Sequence, residues 1–145
     1  SPIIQYFFLM EFKTIHGGVK RIKNVKKRII DWNAPSKSKR QREVKKFLKK
    51  YWQNHVVFEE FPVAGTRLSI DFYNANKKIA VEVQGSQHTR YNSFFHGGHK
   101  NNYLEQLKRD EIKFKFCELN DIQLIEVYDA DVINKALFKK FDIVL

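Results

Sequence analysis

The chain has a single cysteine, Cys117. That scarcity excludes an internal disulfide framework and any cysteine-rich zinc site, and makes a reducing, cytoplasmic setting the default expectation. Also missing is any apolar run approaching the roughly 20 residues needed to cross a bilayer, so no membrane partner is expected. The opening Ile3-Ile4-Gln5-Tyr6-Phe7-Phe8-Leu9-Met10 has the look of a signal-peptide core, but no basic residue precedes it and no small-residue cleavage site follows. We read it as an edge strand or an added start, with Met10, the only methionine, a candidate native first residue. There is no internal repeat and no low-complexity segment.

Acidic residues are scarce in one region. From Lys20 to Lys50 there are 14 lysines and arginines against only Asp31 and Glu43, whereas the rest of the chain has 13 basic residues against 14 acids. The net charge of +11 is therefore a patch. Such a patch on an otherwise near-neutral domain suits neutralisation of a phosphate backbone, with release of condensed counterions. Lys20, Arg21, Lys23, Lys26, Lys27, Arg28, Lys39, Arg40 and Arg42 are the candidate nucleic-acid contacts; a merely solvated, solubilising face is the competing reading.

What is present in quantity is apolar surface. The 145 residues are 43% hydrophobic and include 13 Phe, enough for one compact domain with a real core. Residues 1–36 read as a basic N-terminal extension with a strand and a Gly17-Gly18 turn, and residues 37–145 as the main body. Ser38 with Gln41 forms a capping box for a helix over residues 39–53, in which Val44, Phe47, Leu48, Tyr51 and Trp52 make an apolar stripe and the outer face is basic. A strand over 55–61, a hairpin, a Gly-, Asn- and His-rich loop to 102, a helix over 103–119 and a strand over 122–128 follow. A last helix, capped by Asp129 or Asp131, is expected to bury Val132, Ile133, Ala136, Leu137 and Phe141. This order predicts an α/β fold: a mixed central sheet with helices on both faces.

The hairpin organises the rest. Leu68, Ile70 and Phe72 alternate with Ser69, Asp71 and Tyr73; after a turn at 74–77, Ile79, Val81 and Val83 alternate with Ala80, Glu82 and Gln84. With that turn, Asp71 lies opposite Ala80 and Glu82 is its diagonal neighbour on a polar face, about 7 Å away. Two such carboxylates can hold one magnesium (or manganese) ion, a hard cation that keeps waters and takes one or two protein carboxylates. Gln84 shares the face, and His88 in the loop beyond can move protons near neutral pH.

Two distant acids are weighed separately. Glu43 has an ion pair with Lys39 or Lys46 as its ordinary role. Asp110 projects from a predicted apolar stripe of Tyr103, Leu107, Phe114 and Cys117, so it needs a partner: a metal, a histidine, or structurally Arg109 or Lys113. His96 and His99 beside Gly97-Gly98 read as a nucleic-acid-contacting loop rather than metal ligands.

Asp71, ten intervening residues, then Glu82-Val83-Gln84 resembles the signature of the PD-(D/E)XK nuclease superfamily, with glutamine at the usual lysine. Val83-Gln84-Gly85-Ser86-Gln87-His88, Asn102, Arg109-Asp110 and Ile125-Glu126-Val127-Tyr128 are similar to the very-short-patch-repair endonucleases and to the EDxHD homing endonucleases that share their catalytic domain. The resemblance covers residues from about 38 to 130. It implies a magnesium-dependent endonuclease core acting on double-stranded DNA, working as a homodimer or beside a separate DNA-recognition domain. It also implies catalytic roles for Glu43, Asp71, Gln84, His88 and Asp110, a metal held by Asp71 with Glu82, and DNA contacts from Arg90 and Lys100. The repair enzymes' multi-cysteine zinc site is absent. A structure-specific nuclease such as a junction resolvase, and a non-catalytic basic nucleic-acid-binding module, are the alternatives.

Overall fold

The computed structural model describes residues 10–85 and 100–145. Positive-φ glycines at Gly17 (89°) and Gly18 (78°) turn strand β1 (Glu11–Lys13) back on β2 (Val19–Arg21). Both positions lie in the left-handed region, where only a residue without Cβ is at ease. A 3-10 turn, Val25–Arg28, then leads to helix α1, Lys39–Trp52. The capping half of the sequence expectation holds there, since Ser38 Oγ accepts the Gln41 backbone N–H at 3.1 Å.

Four strands form the main sheet in the order β3 (Val57–Pro62), β4 (Ser69–Asn74), β5 (Ile79–Val83), β6 (Gln123–Val127). The first three are antiparallel, and β6 runs parallel to β5. A parallel neighbour requires a crossover, and helix α2 (Lys100–Leu119) is its helical part. The short helix α3, Lys135–Lys139, closes the described chain. The domain is thus α/β with a mixed sheet, and among the described residues no helix is long and apolar enough to cross a membrane.

Each face of the sheet has its own core. On one, Val44, Leu48 and Trp52 of α1, all fully buried, meet Val57, Phe72, Val81 and Ile125, with Leu137 and Phe138 of α3 beside them. Burying a side chain such as Val44 or Leu48 stabilises by about 1.5–3 kcal/mol, so α1 is held by its stripe rather than by helix propensity. On the other, Phe116 and Cys117 of α2 meet Phe58, Phe61, Ile70 and Tyr73, and Phe12 of β1 packs edge-on against Phe61 and Tyr73. The N-terminal hairpin is part of this core.

Several local expectations change. The hairpin is buried on both faces: every residue of β4 from Ile70 to Asn74 is buried. Its loop is Ala75–Lys78, with Lys78 left-handed at φ 55°, one residue later than the sequence reading. The register moves accordingly, pairing Tyr73 with Ala80 and Phe72 with Val81, so Asp71 comes opposite Glu82 instead of Ala80. On α2 the expected stripe is buried at Cys117, whereas Leu107 and Phe114 are exposed and Phe116 goes inward instead. The final helix begins later than expected, with Asn134 rather than Asp129 or Asp131 as cap; Val132 is exposed.

Candidate active site

The site forms where β4 and β5 stop pairing. Past Phe72 and Val81, side chains replace the backbone ladder: Glu82 Oε1 accepts the Asp71 N–H, and Asp71 Oδ2 accepts the Val83 N–H, each at 2.8 Å. A buried backbone donor needs a partner, so each carboxylate is locked by the other residue's strand. Both are almost fully buried.

Cations arrive from both faces. From α2, Lys113 Nζ lies 2.8 Å from Glu82 Oε2. From the segment leading into α1, Lys37 Nζ lies 2.8 Å from Asp71 Oδ1 and 3.5 Å from Glu60 Oε2. Apart from that ammonium, Asp71 Oδ1 has no hydrogen-bond partner among the described groups. Burial first, and then the Asp71 charge, push the Glu82 carboxyl up to about 7, although Lys113 pulls the other way. A carboxyl in that range exchanges its proton near neutrality. For Lys37, burial opposes the charged form, but the Asp71 carboxylate, by hydrogen bond and by field, together with Glu60 and Glu82, carries its pKa above the ordinary lysine value.

Gln84 and Asp110 complete the line. The Gln84 backbone N–H reaches Val127 O at 2.7 Å, which turns its buried side chain toward α2. There its Nε2 donates to Asp110 Oδ1 at 3.3 Å, and Gln106 Nε2 donates to the same oxygen at 3.0 Å. Asp110 therefore finds two amides instead of the Arg109 or Lys113 considered from spacing. Lys113 serves Glu82, and Arg109 bonds Gln106.

Asp71, Glu82, Gln84 and Asp110 are thus brought together. Glu43 is not among their partners: its carboxylate pairs with Arg40 at 3.0 Å, half exposed, and borders a hollow lined by Lys46, Phe47, Lys50 and Asp131 to Ile133. Residue 43 is two positions past Gln41 and two before Lys45, the pair that α1 does turn toward the sheet. Arg40 is likewise less available for DNA than its charge suggested, since its guanidinium donates to Tyr128 O at 2.8 Å and Asp131 O at 2.6 Å. Lys20, Lys23, Lys26, Lys27, Arg28, Lys39 and Arg42 are exposed, and Arg21 pairs with Glu11. His88, Arg90, His96 and His99 lie outside the described residues; Lys100 is described only as the first residue of α2.

Sequence reasoning passed over Glu59, Glu60 and Lys45, and gave Gln41 a capping role only. Glu60 is left-handed, φ 55°, inside β3, a conformation costing a non-glycine residue about 1 kcal/mol or more. It sends two successive side chains to the α1 side of the sheet. Gln41 Nε2 donates to Glu59 Oε2 at 2.9 Å and to Glu60 Oε1 at 3.1 Å, rather than reaching back to complete a capping box. Lys45, 2% exposed, reaches Glu59 Oε1 and Ala34 O. The signal was available: 41, 45, 48 and 52 share one helix face, and two adjacent acids interrupt an apolar strand.

Lysine charges also surround this cluster at the surface. Lys27, Arg28 and Lys37 line a hollow with Ser36, Glu59 and Glu60, and across Pro35 a second hollow is lined by Trp32, Arg42, Lys46 and Lys49. Cations have already entered the carboxylate site as ammonium groups. Among the described residues no group of three or more His, Cys, Asp or Glu side chains stands close enough to hold a metal. A pair of carboxylates is sufficient for magnesium. Asp71 Oδ1 is the donor best suited to it, whereas both oxygens of Glu82 are engaged.

No family model and no solved structure matches the chain. Parts of it are similar to viral proteins: 41% identity over 66 residues to "Uncharacterized protein 033L" of Invertebrate iridescent virus 3, and 41% over 66 residues to "Uncharacterized protein 094L" of Frog virus 3. A third, "Uncharacterized protein 307L" of Invertebrate iridescent virus 6, is 38% identical over 74 residues. These alignments take in 46–50% of this chain but only 34–43% of each relative, so the match spans less than half the length of the proteins it is similar to.

Proposed function

We propose that the chain is a metal-dependent endonuclease of the PD-(D/E)XK type, of homing-endonuclease kind, hydrolysing phosphodiesters of duplex DNA. The supporting observation is that Asp71 with Glu82, and Gln84 with Asp110, meet as two neighbouring hydrogen-bonded pairs drawn from two strands, the segment after β5 and a helix. These are the residues that the resemblance marks, and the register shift brings the first two closer than their spacing implied.

Magnesium or manganese, held by Asp71 with Glu82 next in reach, would polarise the scissile phosphate and stabilise the leaving oxygen. The chain's own residues do the rest. Asp71 and Glu82 are locked on backbone donors and so present fixed oxygens. Lys113 supplies a positive charge beside Glu82 that the glutamine at position 84 cannot. Asp110, oriented by two amides, is available to orient a proton-transferring partner, the role the resemblance gives to His88. The basic residues around Pro35 bind the DNA backbone without reading sequence.

Supercoiled plasmid with magnesium tests this: wild type nicks or linearises it, and Asp71→Ala lowers the rate at least a hundredfold while its DNA affinity stays within about twofold. Intact plasmid with wild type across magnesium and manganese would overturn the reading. A branched substrate in parallel detects a junction-specific nuclease. One observation favours the non-catalytic module instead, namely that Lys37, Lys45 and Lys113 already neutralise the acids. That module binds DNA with the same salt dependence and cuts nothing.

A further inference from the structure

We propose that the divalent-cation seat of this protein is formed by Asp71 and Glu60, and that the Lys37 ammonium is its tethered stand-in, displaced when a metal binds. The inference deepens the proposed cation dependence and moves the second ligand from Glu82 to a residue on another strand.

The geometry separates the two candidates. Glu82 spends one oxygen on the Asp71 N–H and the other on Lys113, itself only 13% exposed, so a metal there would strand a buried ammonium. Glu60 is in a different position. Its Oε1 accepts from Gln41 and its Oε2 from the Ser69 hydroxyl, both neutral donors that orient a carboxylate without cancelling its charge. A single ammonium then bridges Glu60 Oε2 and Asp71 Oδ1.

Asp71 supplies the independent observation. Its side chain is 2% exposed, and apart from the ammonium of Lys37, a side chain 59% exposed, its buried Oδ1 has no hydrogen-bond partner among the described groups. A buried acceptor in that state is completed by a cation, and the one present is held only by a flexible stem at the surface. Lys37 can leave into water at little cost, as Lys45 and Lys113 cannot. Charge points the same way: Lys45 serves Glu59 and Lys113 serves Glu82, so departure of Lys37 leaves Asp71 and Glu60 as two carboxylates facing a divalent ion.

The test is metal binding itself, measured by calorimetry with manganese and then magnesium on the full chain. Lys37→Gln is expected to tighten manganese binding about tenfold, by removing a competing charge within a few ångströms. Glu60→Gln, which keeps an acceptor for Ser69, and Asp71→Asn are expected to weaken it at least tenfold, while Glu82→Gln changes it by less than threefold. Unchanged affinity in Lys37→Gln, or a loss confined to Glu82→Gln, overturns the seat even if the plasmid is cut. Tightening in Lys37→Gln with loss in Glu60→Gln supports it even if no plasmid is cut, in which case only the nuclease reading fails. A circular dichroism spectrum and melting curve for each variant show that the fold is retained, so a loss in Glu60→Gln is read as a lost ligand.

Discussion

Lys45 and Lys37 enter the same carboxylate cluster by different routes. Lys45 comes from the middle of α1, is 2% exposed, and donates to Glu59 and to Ala34 O. Lys37 comes from the segment before α1, is 59% exposed, and faces Asp71 and Glu60. The charges are alike, but the first is sealed by the helix stripe packed around it and the second is closed on one side only. Burial, more than the ion-pair distance of 2.8 Å common to both, therefore separates a lysine that holds α1 to the sheet from one that guards an opening.

The strongest way to break this contrast is at Lys45. Lys45→Met leaves Glu59 with only the Ser36 hydroxyl and the Gln41 amide. We expect a loss of about 3 kcal/mol, the low end for breaking a buried pair, since those two donors remain. Urea denaturation followed by circular dichroism measures it. Lys45→Met with Glu59→Leu should recover most of the loss, because an apolar pair of similar volume carries no stranded charge. No loss in the single variant would make the sealed lysine as dispensable as the open one.

Lys113 is intermediate between the two, and its partner titrates. Glu82 is raised to about 7 from an ordinary 4.5, so between those values the folded state holds a proton that the unfolded chain has released. Stability should thus fall as pH rises through that window, by no more than about 1.4 kcal/mol per pH unit, and level off above it. Glu82→Gln removes this slope. Lys113→Met should cost about 2 kcal/mol at pH 8 and less at pH 6, where Glu82 takes up a proton instead of staying charged and alone. Equal losses at the two pH values would mean that the carboxyl does not titrate in this range.

These lysines also show what the sequence could and could not disclose. Alternation in 68–73 and 79–84 located the hairpin, and the spacing of Asp71 and Glu82 marked the carboxylates that meet. Period-two patterning could not place the loop to within one residue; that was decided by a left-handed Lys78, an unusual residue for the position, and the register moved by two. Lys45 looked like part of a solvated basic face because charge was read before helical phase, although residues 41, 45, 48 and 52 fall on one side of α1. Glu60 gave even less notice, since a left-handed glutamate inside a strand follows from tertiary hydrogen bonds to Gln41 and Ser69 and from no local preference. Glu43 drew attention as a lone acid in a basic helix, and the Arg40 pair it forms is the ordinary i,i+3 outcome.

The smallest effect is expected at Lys37 itself, and it sharpens the comparison most. The pair is exposed only on its Lys37 side, but the amide of Lys37→Gln still offers a donor toward Asp71 Oδ1, so the melting temperature should shift by only a degree or two in metal-free buffer. With saturating manganese the same variant should melt higher than wild type, because a ligand that binds the folded state alone raises stability in proportion to the logarithm of its affinity. A sign that reverses with metal is the mark of a displaceable counter-ion. A large metal-free loss would instead show that Lys37 holds the fold as Lys45 does, and the distinction drawn from their burial would fail.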